Sequence, residues 1–129
     1  MSRRQVPAGA MWGPVVGYSR AVRAGNTIFV AGTAAAGPDG KTIAPGDAYA
    51  QTKDVLGRID RAVRELGGTM RDIVRTRIFV TDISRWEEIG RAHGEVFGEI
   101  RPATSMVEVR RLIDPEMLVE IEAVAVVES

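Results

Sequence analysis

The stretch from Arg101 to Val127 constrains the fold most. It reads as two strands, Arg101 to Glu108 and Leu118 to Val127, joined by a short polar link at Ile113 to Glu116. Side chains alternate across a strand. Leu118, Glu120, Glu122, Val124 and Val126 therefore share one face, and Val119, Ile121, Ala123, Ala125 and Val127 share the other. The second face is wholly apolar and suits packing under helices. The first mixes two carboxylates with apolar residues. Burying a carboxylate is costly unless it is paired, hydrogen-bonded or in a wet cleft, so function is sought on that face.

The 129 residues fit a single domain, 1–129, large enough for one core. Seventeen Lys and Arg balance seventeen Asp and Glu, so the chain lacks the basic field on which nucleic-acid binding relies, and no nucleic-acid partner is expected. The absence of cysteine removes disulfides, thiolate nucleophiles and Cys-based metal sites, and suits a reducing compartment. No apolar run has the length of a signal peptide or a membrane span. A cytoplasmic protein without membrane contact is expected.

Residues 1–16, rich in Gly, Pro and Ala, read as a flexible arm or at most a short edge strand, with order beginning at Tyr18. Tyr18 to Ala24 and Thr27 to Thr33 form a hairpin about Gly25-Asn26, a dipeptide suited to tight turns. Ala34 to Gly46 is a Gly- and Pro-rich loop. Asp47 then caps a helix whose Val55, Leu56, Ile59, Ala62, Val63 and Leu66 recur at helical spacing, with Gly67-Gly68 as the stop. A strand at Asp72 to Thr81 places Val74, Thr76, Ile78 and Val80 on one side and Ile73, Arg75, Arg77 and Phe79 on the other. Ser84 and Glu87 match a capping box. It would open a second helix, from about Arg85 to Gly98, with a buried stripe of Trp86, Ile89, His93, Val96 and Phe97. Pro102 forbids its continuation. Two helices cover only one face of such a sheet, which predicts an α+β sandwich with an open second face. Exposed Leu118, Val124 and Val126 there call for another subunit.

Together these segments resemble the reactive intermediate deaminase (Rid, or YjgF) family. The likeness lies in Gly17-Tyr18-Ser19-Arg20-Ala21-Val22, Gly25-Asn26, Ile28-Phe29-Val30-Ala31-Gly32, Gln51-Thr52, Asp72-Ile73-Val74-Arg75-Thr76, Ile78-Phe79-Val80 and Asp82. Arg101-Pro102-Ala103-Thr104-Ser105-Met106-Val107-Glu108-Val109 and Val119-Glu120-Ile121-Glu122-Ala123-Val124-Ala125 complete it. The resemblance implies a chorismate-mutase-like sandwich with two helices on one face of a mixed sheet. It also implies a homotrimer whose sheets form a central barrel, with a ligand cleft at each subunit interface. It implies no metal and no organic cofactor. The implied chemistry is hydrolysis of enamines and imines made by amino-acid-consuming enzymes, giving a keto acid and ammonia.

Several cleft positions depart from the pattern. Deaminating members read Pro-Ala-Arg-Ser, with the arginine clamping the substrate carboxylate; Thr104 stands there in this chain, and a hydroxyl cannot imitate a bidentate guanidinium. Ala31 replaces a serine, Gly90 an asparagine and Met106 a frequent cysteine. Tyr18, Gly32 and Glu120 carry over, Glu120 as the group that orients the attacking water. The candidate catalytic residue is thus Glu120, and the candidate binding residues are Tyr18, Gly32, Thr104 and Arg101. Arg101 would supply the missing positive charge from a shifted position, against the alternative of a solvated helix-end arginine. Glu122 reads as structural and His93 as a packed, hydrogen-bonded histidine. Three function classes stay open: a cofactor-free enamine/imine hydrolase acting on an unidentified small metabolite, a trimeric metabolite-binding protein without turnover, and, last, an RNA-directed ribonuclease or translation inhibitor.

Overall fold

The computed structural model describes residues 3–128. Its elements in chain order are β1 (Arg3–Pro7), α1 (Gly13–Val16), β2 (Ser19–Ala24), β3 (Thr27–Ala34), α2 (Ala48–Glu65), β4 (Ile73–Val80), α3 (Trp86–Phe97), β5 (Ala103–Glu108) and β6 (Val119–Val126). The strands make one six-stranded sheet in the order β1-β2-β3-β6-β4-β5. Only β4 and β5 run parallel; the other neighbours are antiparallel. The last strand in sequence thus lies inside the sheet, held by β3 on one side and β4 on the other.

Alternation along β6 is complete: Val119, Ile121, Ala123 and Ala125 are buried and the residues between them are only half-buried. The buried set joins Ile28 and Val30 of β3 and Ile78 and Val80 of β4 beneath the apolar stripe of α2, whose Val55, Leu56, Ile59, Ala62 and Val63 are all buried. α3 packs beside α2 through Ile89, Ala92 and Phe97. Among the described residues no element covers the opposite sheet face, and Phe29 there is 51% exposed.

The local signals mostly act as the sequence predicts. Gly25 takes φ 62° in the β2–β3 turn, and Ala24 pairs with Thr27. Asp47 accepts the Ala50 N–H at 2.9 Å and caps α2. Gly67, at φ 87°, ends that helix, with the Gly68 N–H returning to the Val63 carbonyl.

Three expectations are corrected, in β4, at Ser84 and at Trp86, while the N-terminal segment takes the edge-strand alternative: β1 pairs with β2, and Arg4 and Arg23 both donate to the Leu66 carbonyl, at 3.0 and 2.7 Å. Cations suit that place, since a helix C-terminus presents unpaired carbonyls and a partial negative charge. In β4 an irregularity between Ile73 and Arg75 resets the alternation, so Ile73 enters the core and Val74 is 48% exposed. The Ser84 and Glu87 box does not form. Asp82 instead accepts from the Ser84 N–H and hydroxyl at 3.0 and 2.6 Å and starts a 3-10 turn at Ile83–Arg85. α3 therefore begins later, and Trp86, expected in its buried stripe, is 55% exposed.

Gln51 fastens the link before β6. Its fully buried amide donates to the Ala44 and Glu116 carbonyls at 3.2 and 3.0 Å and accepts the Leu118 N–H at 2.9 Å. Leaving a buried polar group unmet costs about 1–3 kcal/mol. Gln51→Leu is therefore expected to lower unfolding free energy by at least about 2 kcal/mol and to speed exchange of the Leu118 amide. Chemical denaturation and hydrogen exchange check this; unchanged values in both would contradict it.

Candidate functional site

The site is built around a break in the β3–β6 ladder. Val30 pairs with Ala123 and Thr33 with Ile121, so Ala31 and Gly32 together oppose Glu122. Such a bulge shifts which side chains face the core. Ile28 and Val30 are buried before it, Thr33 and Ala35 after it. At Gly32 an added Cβ would lie 2.9 Å from the Glu120 carboxyl carbon and 3.1 Å from Oε1. Only glycine leaves that carboxylate its place.

Arg20 holds the bulge from β2. One terminal nitrogen donates to the Gly32 carbonyl at 2.7 Å and the Thr33 hydroxyl at 3.0 Å; the other donates to the Tyr18 hydroxyl at 3.3 Å and the Ala8 carbonyl at 3.4 Å. Its guanidinium carbon also sits 5.5 Å from the Tyr18 ring centre. One cation thus ties together the N-terminal segment, Tyr18 and the backbone beside Glu120. Tyr18, Arg20, Gly32, Phe79, Arg111 and Glu120 all line a cleft of about 740 Å³.

The two carboxylates of β6 have different surroundings. Glu122 pairs with Arg77 Nε at 2.6 Å, the structural role read from the sequence. Glu120 is half-buried and has no hydrogen bond or ion pair among the described residues. Burial pushes its carboxyl above the ordinary value; Arg20 pulls the other way, and Glu122 adds to the rise. A half-buried carboxylate with free oxygens is suited to taking a proton from water at neutral pH.

The other predicted residues lie elsewhere in the chain. Thr104 is on β5, at the far edge of the sheet, paired in register with Thr76. Its hydroxyl meets the buried Thr76 hydroxyl at 2.7 Å, on the helix side, whereas Glu120 faces the open side. Arg101 has φ 55° and spends its Nε on the Gly98 carbonyl at 2.9 Å, the helix-end alternative weighed from the sequence. His93 is packed as expected: Nε2 lies 3.0 Å from Thr76 Oγ1, the ring is 4.6 Å from that of Phe97, and burial lowers its pKa. Met106 is half-buried against the core. One chain therefore brings together Tyr18, Gly32 and Glu120 but not Thr104 or Arg101. Sequence reasoning passed over Arg20, although its i+2 spacing from Tyr18 puts both on one strand face.

A six-stranded mixed sheet with two helices on one face and a carboxylate-bearing open face defines a chorismate-mutase-like protein. Residues 10–127 match the family model described as Endoribonuclease L-PSP, and the chain belongs to this YjgF/Rid family. A Mycobacterium tuberculosis protein described as a member of the YjgF/YER057c/UK114 family is 53% identical. That match covers 98% of this chain and 100% of the other, with a TM-score of 0.88. The Acinetobacter baylyi 3-aminoacrylate deaminase RutC is 34% identical over 87% of this chain and 88% of its own. Escherichia coli TdcF, solved with bound serine, is 29% identical, covers 86% of this chain and 88% of its own, and superposes with a TM-score of 0.78.

The raised pKa of Glu120 has a stability consequence. Between the unfolded and folded pKa values the folded state binds more protons, so stability falls as pH rises through that window. The cost of holding the carboxylate charged is in full force at neutral pH. Glu120→Gln, which keeps the shape without the charge, is expected to raise the melting temperature at pH 7 and to flatten the pH dependence. Thermal unfolding across pH checks this; a destabilised Gln variant would contradict it.

Proposed function

We propose that the protein is a cofactor-free hydrolase of enamines or imines, with Glu120 as the base that activates water. The observation that carries this reading is the half-buried, unpartnered Glu120 carboxylate beside Gly32. Water adds to the C=N carbon as Glu120 takes its proton, and nitrogen then leaves as ammonia with a carbonyl product remaining. Tyr18 and the backbone at Gly32 line the pocket. The deaminase named among the relatives and the serine held by TdcF support a small molecule as the general class of ligand.

Assembly belongs to the proposal. Thr104 and Glu120 sit on different strands and opposite faces, so a second copy is needed to bring a β5 edge to the cleft. The uncovered face bearing Phe29 and Val124 is the surface for it. We infer a homotrimer, with clefts between neighbours and neither metal nor organic cofactor. Light scattering is expected to give three times 14.0 kDa; a stable monomer at micromolar concentration would contradict this.

A second reading, a trimeric metabolite-binding protein without turnover, draws on Thr104. Its hydroxyl is engaged by Thr76 and by the Pro102 carbonyl at 3.2 Å, and it offers no cation to a ligand carboxylate. The endoribonuclease activity in the family model's description ranks last, because the net charge is zero.

Two outcomes are expected when an amino-acid oxidase generates imines in the presence of the protein. Imines of simple amino acids are hydrolysed poorly. A missing charge-assisted contact costs about 1.5–3 kcal/mol, roughly tenfold to over a hundredfold in rate. Thr104→Arg raises that rate if the rest of the cleft is intact. For whichever imine is hydrolysed, Glu120→Gln reduces the rate by about 10²–10⁴-fold without changing the assembled mass. Full activity in Glu120→Gln would place the chemistry on another group.

A further inference from the structure

His93, Thr76 and Thr104 form one hydrogen-bonded line from the chain's only histidine to an exposed strand edge. His93 Nε2 is 3.0 Å from Thr76 Oγ1, and Thr76 Oγ1 is 2.7 Å from Thr104 Oγ1. Thr104 Oγ1 in turn reaches the Pro102 carbonyl at 3.2 Å. The parallel register of β4 with β5 sets Thr76 opposite Thr104, and α3 lays His93 over them. Thr76 is fully buried in the middle of the line.

We propose that this line is a proton relay that makes the Thr104 hydroxyl a second acid–base group of the site, with His93 as its proton store. Each hydroxyl carries one proton, so the line has two arrangements. In the first, Thr104 donates to Thr76 and Thr76 donates to a bare Nε2, leaving the Thr104 oxygen only able to accept. In the second, Nε2–H donates to Thr76, Thr76 donates to Thr104, and the Thr104 proton points outward to Pro102 or a ligand. Passing from the first to the second moves a proton from a ligand to Nε2 in three short hops, with no charge left on either hydroxyl. Burial disfavours the His93 cation, so the ring rests neutral, and the relay uses the tautomer with a bare Nε2. Burial is the only cause of that depression, with no contribution from charged groups of the neighbouring elements.

The inference rests on the hydrolase reading and supplies its second half. Water adds to a protonated imine while Glu120 takes one water proton, giving a neutral carbinolamine. The Thr104 hydroxyl of a neighbouring copy then takes the carbinolamine hydroxyl proton, which ends on His93. The C–N bond breaks, its electron pair leaves on nitrogen, and that nitrogen takes the proton held by Glu120. Carbonyl and ammonia result, Glu120 is again a carboxylate, and His93 returns its proton to solvent. The base that Thr104 needs is thus in place, one buried hydroxyl away.

The test has two arms. In the first, ¹⁵N NMR follows the His93 ring nitrogens across pH in the native protein, Thr104→Val and Thr104→Ser. Thr104 is exposed, so these variants spare the core. The relay requires that Thr104→Val shift the Nε2 resonance and its titration midpoint, and that Thr104→Ser restore both. An unmoved Nε2 in Thr104→Val overturns the relay, whether or not any imine is hydrolysed. In the second arm, His93→Gln is assayed on an imine that the native protein hydrolyses. A fall in kcat of tenfold or more is expected, with KM kept and the low-pH limb of the rate profile reduced to the one set by Glu120 alone. Loss of thermal stability alone, with kcat and that limb intact, assigns His93 a packing role and overturns the proposal. Retained activity in Glu120→Gln would instead strike the hydrolase reading, leaving the NMR arm to judge the relay.

Discussion

The position of β6 governs the rest of the structure. It is the last strand to emerge from the chain, yet it lies inside the sheet, with β3 and β4 antiparallel to it on either side. A slip of one residue would exchange its two faces, sending Glu120 and Glu122 under the helices and Val119, Ile121, Ala123 and Ala125 into the open. Two buried carboxylates make that register prohibitive, so the apolar face fixes the direction of the functional one. Gln51 sets the strand's entry point, and the bulge at Ala31 and Gly32 makes room where Glu120 emerges. Core packing and site geometry are thus two consequences of one alternation.

Much of this was legible in the sequence because it rests on periodicity and on local chemistry. The alternation of β6, the stripe of α2, the Asp47 cap and the turn at Gly25 each need only a few neighbouring residues. The failures share a cause as well. At Ser84 two capping solutions competed, and Asp82, two residues earlier, took the Ser84 N–H and hydroxyl; pattern alone does not weigh one against the other. The break between Ile73 and Arg75 depends on pairing with β6, some fifty residues on. The N-terminal edge strand was one of two forms the sequence left open, and Arg4 meeting the end of α2 holds it, a contact that composition does not reveal.

The candidate site divides along the same line. Tyr18, Gly32 and Glu120 meet because they lie on neighbouring strands and the bulge joins them; Arg20, quoted only as part of a motif, is the residue that fastens them. Thr104 resembles a cleft residue in sequence, yet its hydroxyl turns toward Thr76 and His93 on the helix side. The structure thereby distinguishes two kinds of polar group on one sheet. Glu122 and Arg101 have their partners and stabilise; among the described residues Glu120 has none and carries the cost of burial.

That difference is the centre of the account, and the ionisation of Glu120 measures it directly. A ¹³C carboxyl titration of the native protein, assigned with Glu120→Gln, reports its midpoint without any substrate. The account predicts a midpoint clearly above the ordinary glutamate value of about 4.3. A midpoint for Glu120 at or below the ordinary value would mean that the carboxylate is paired or fully solvated, and would contradict its assignment as the base of the site.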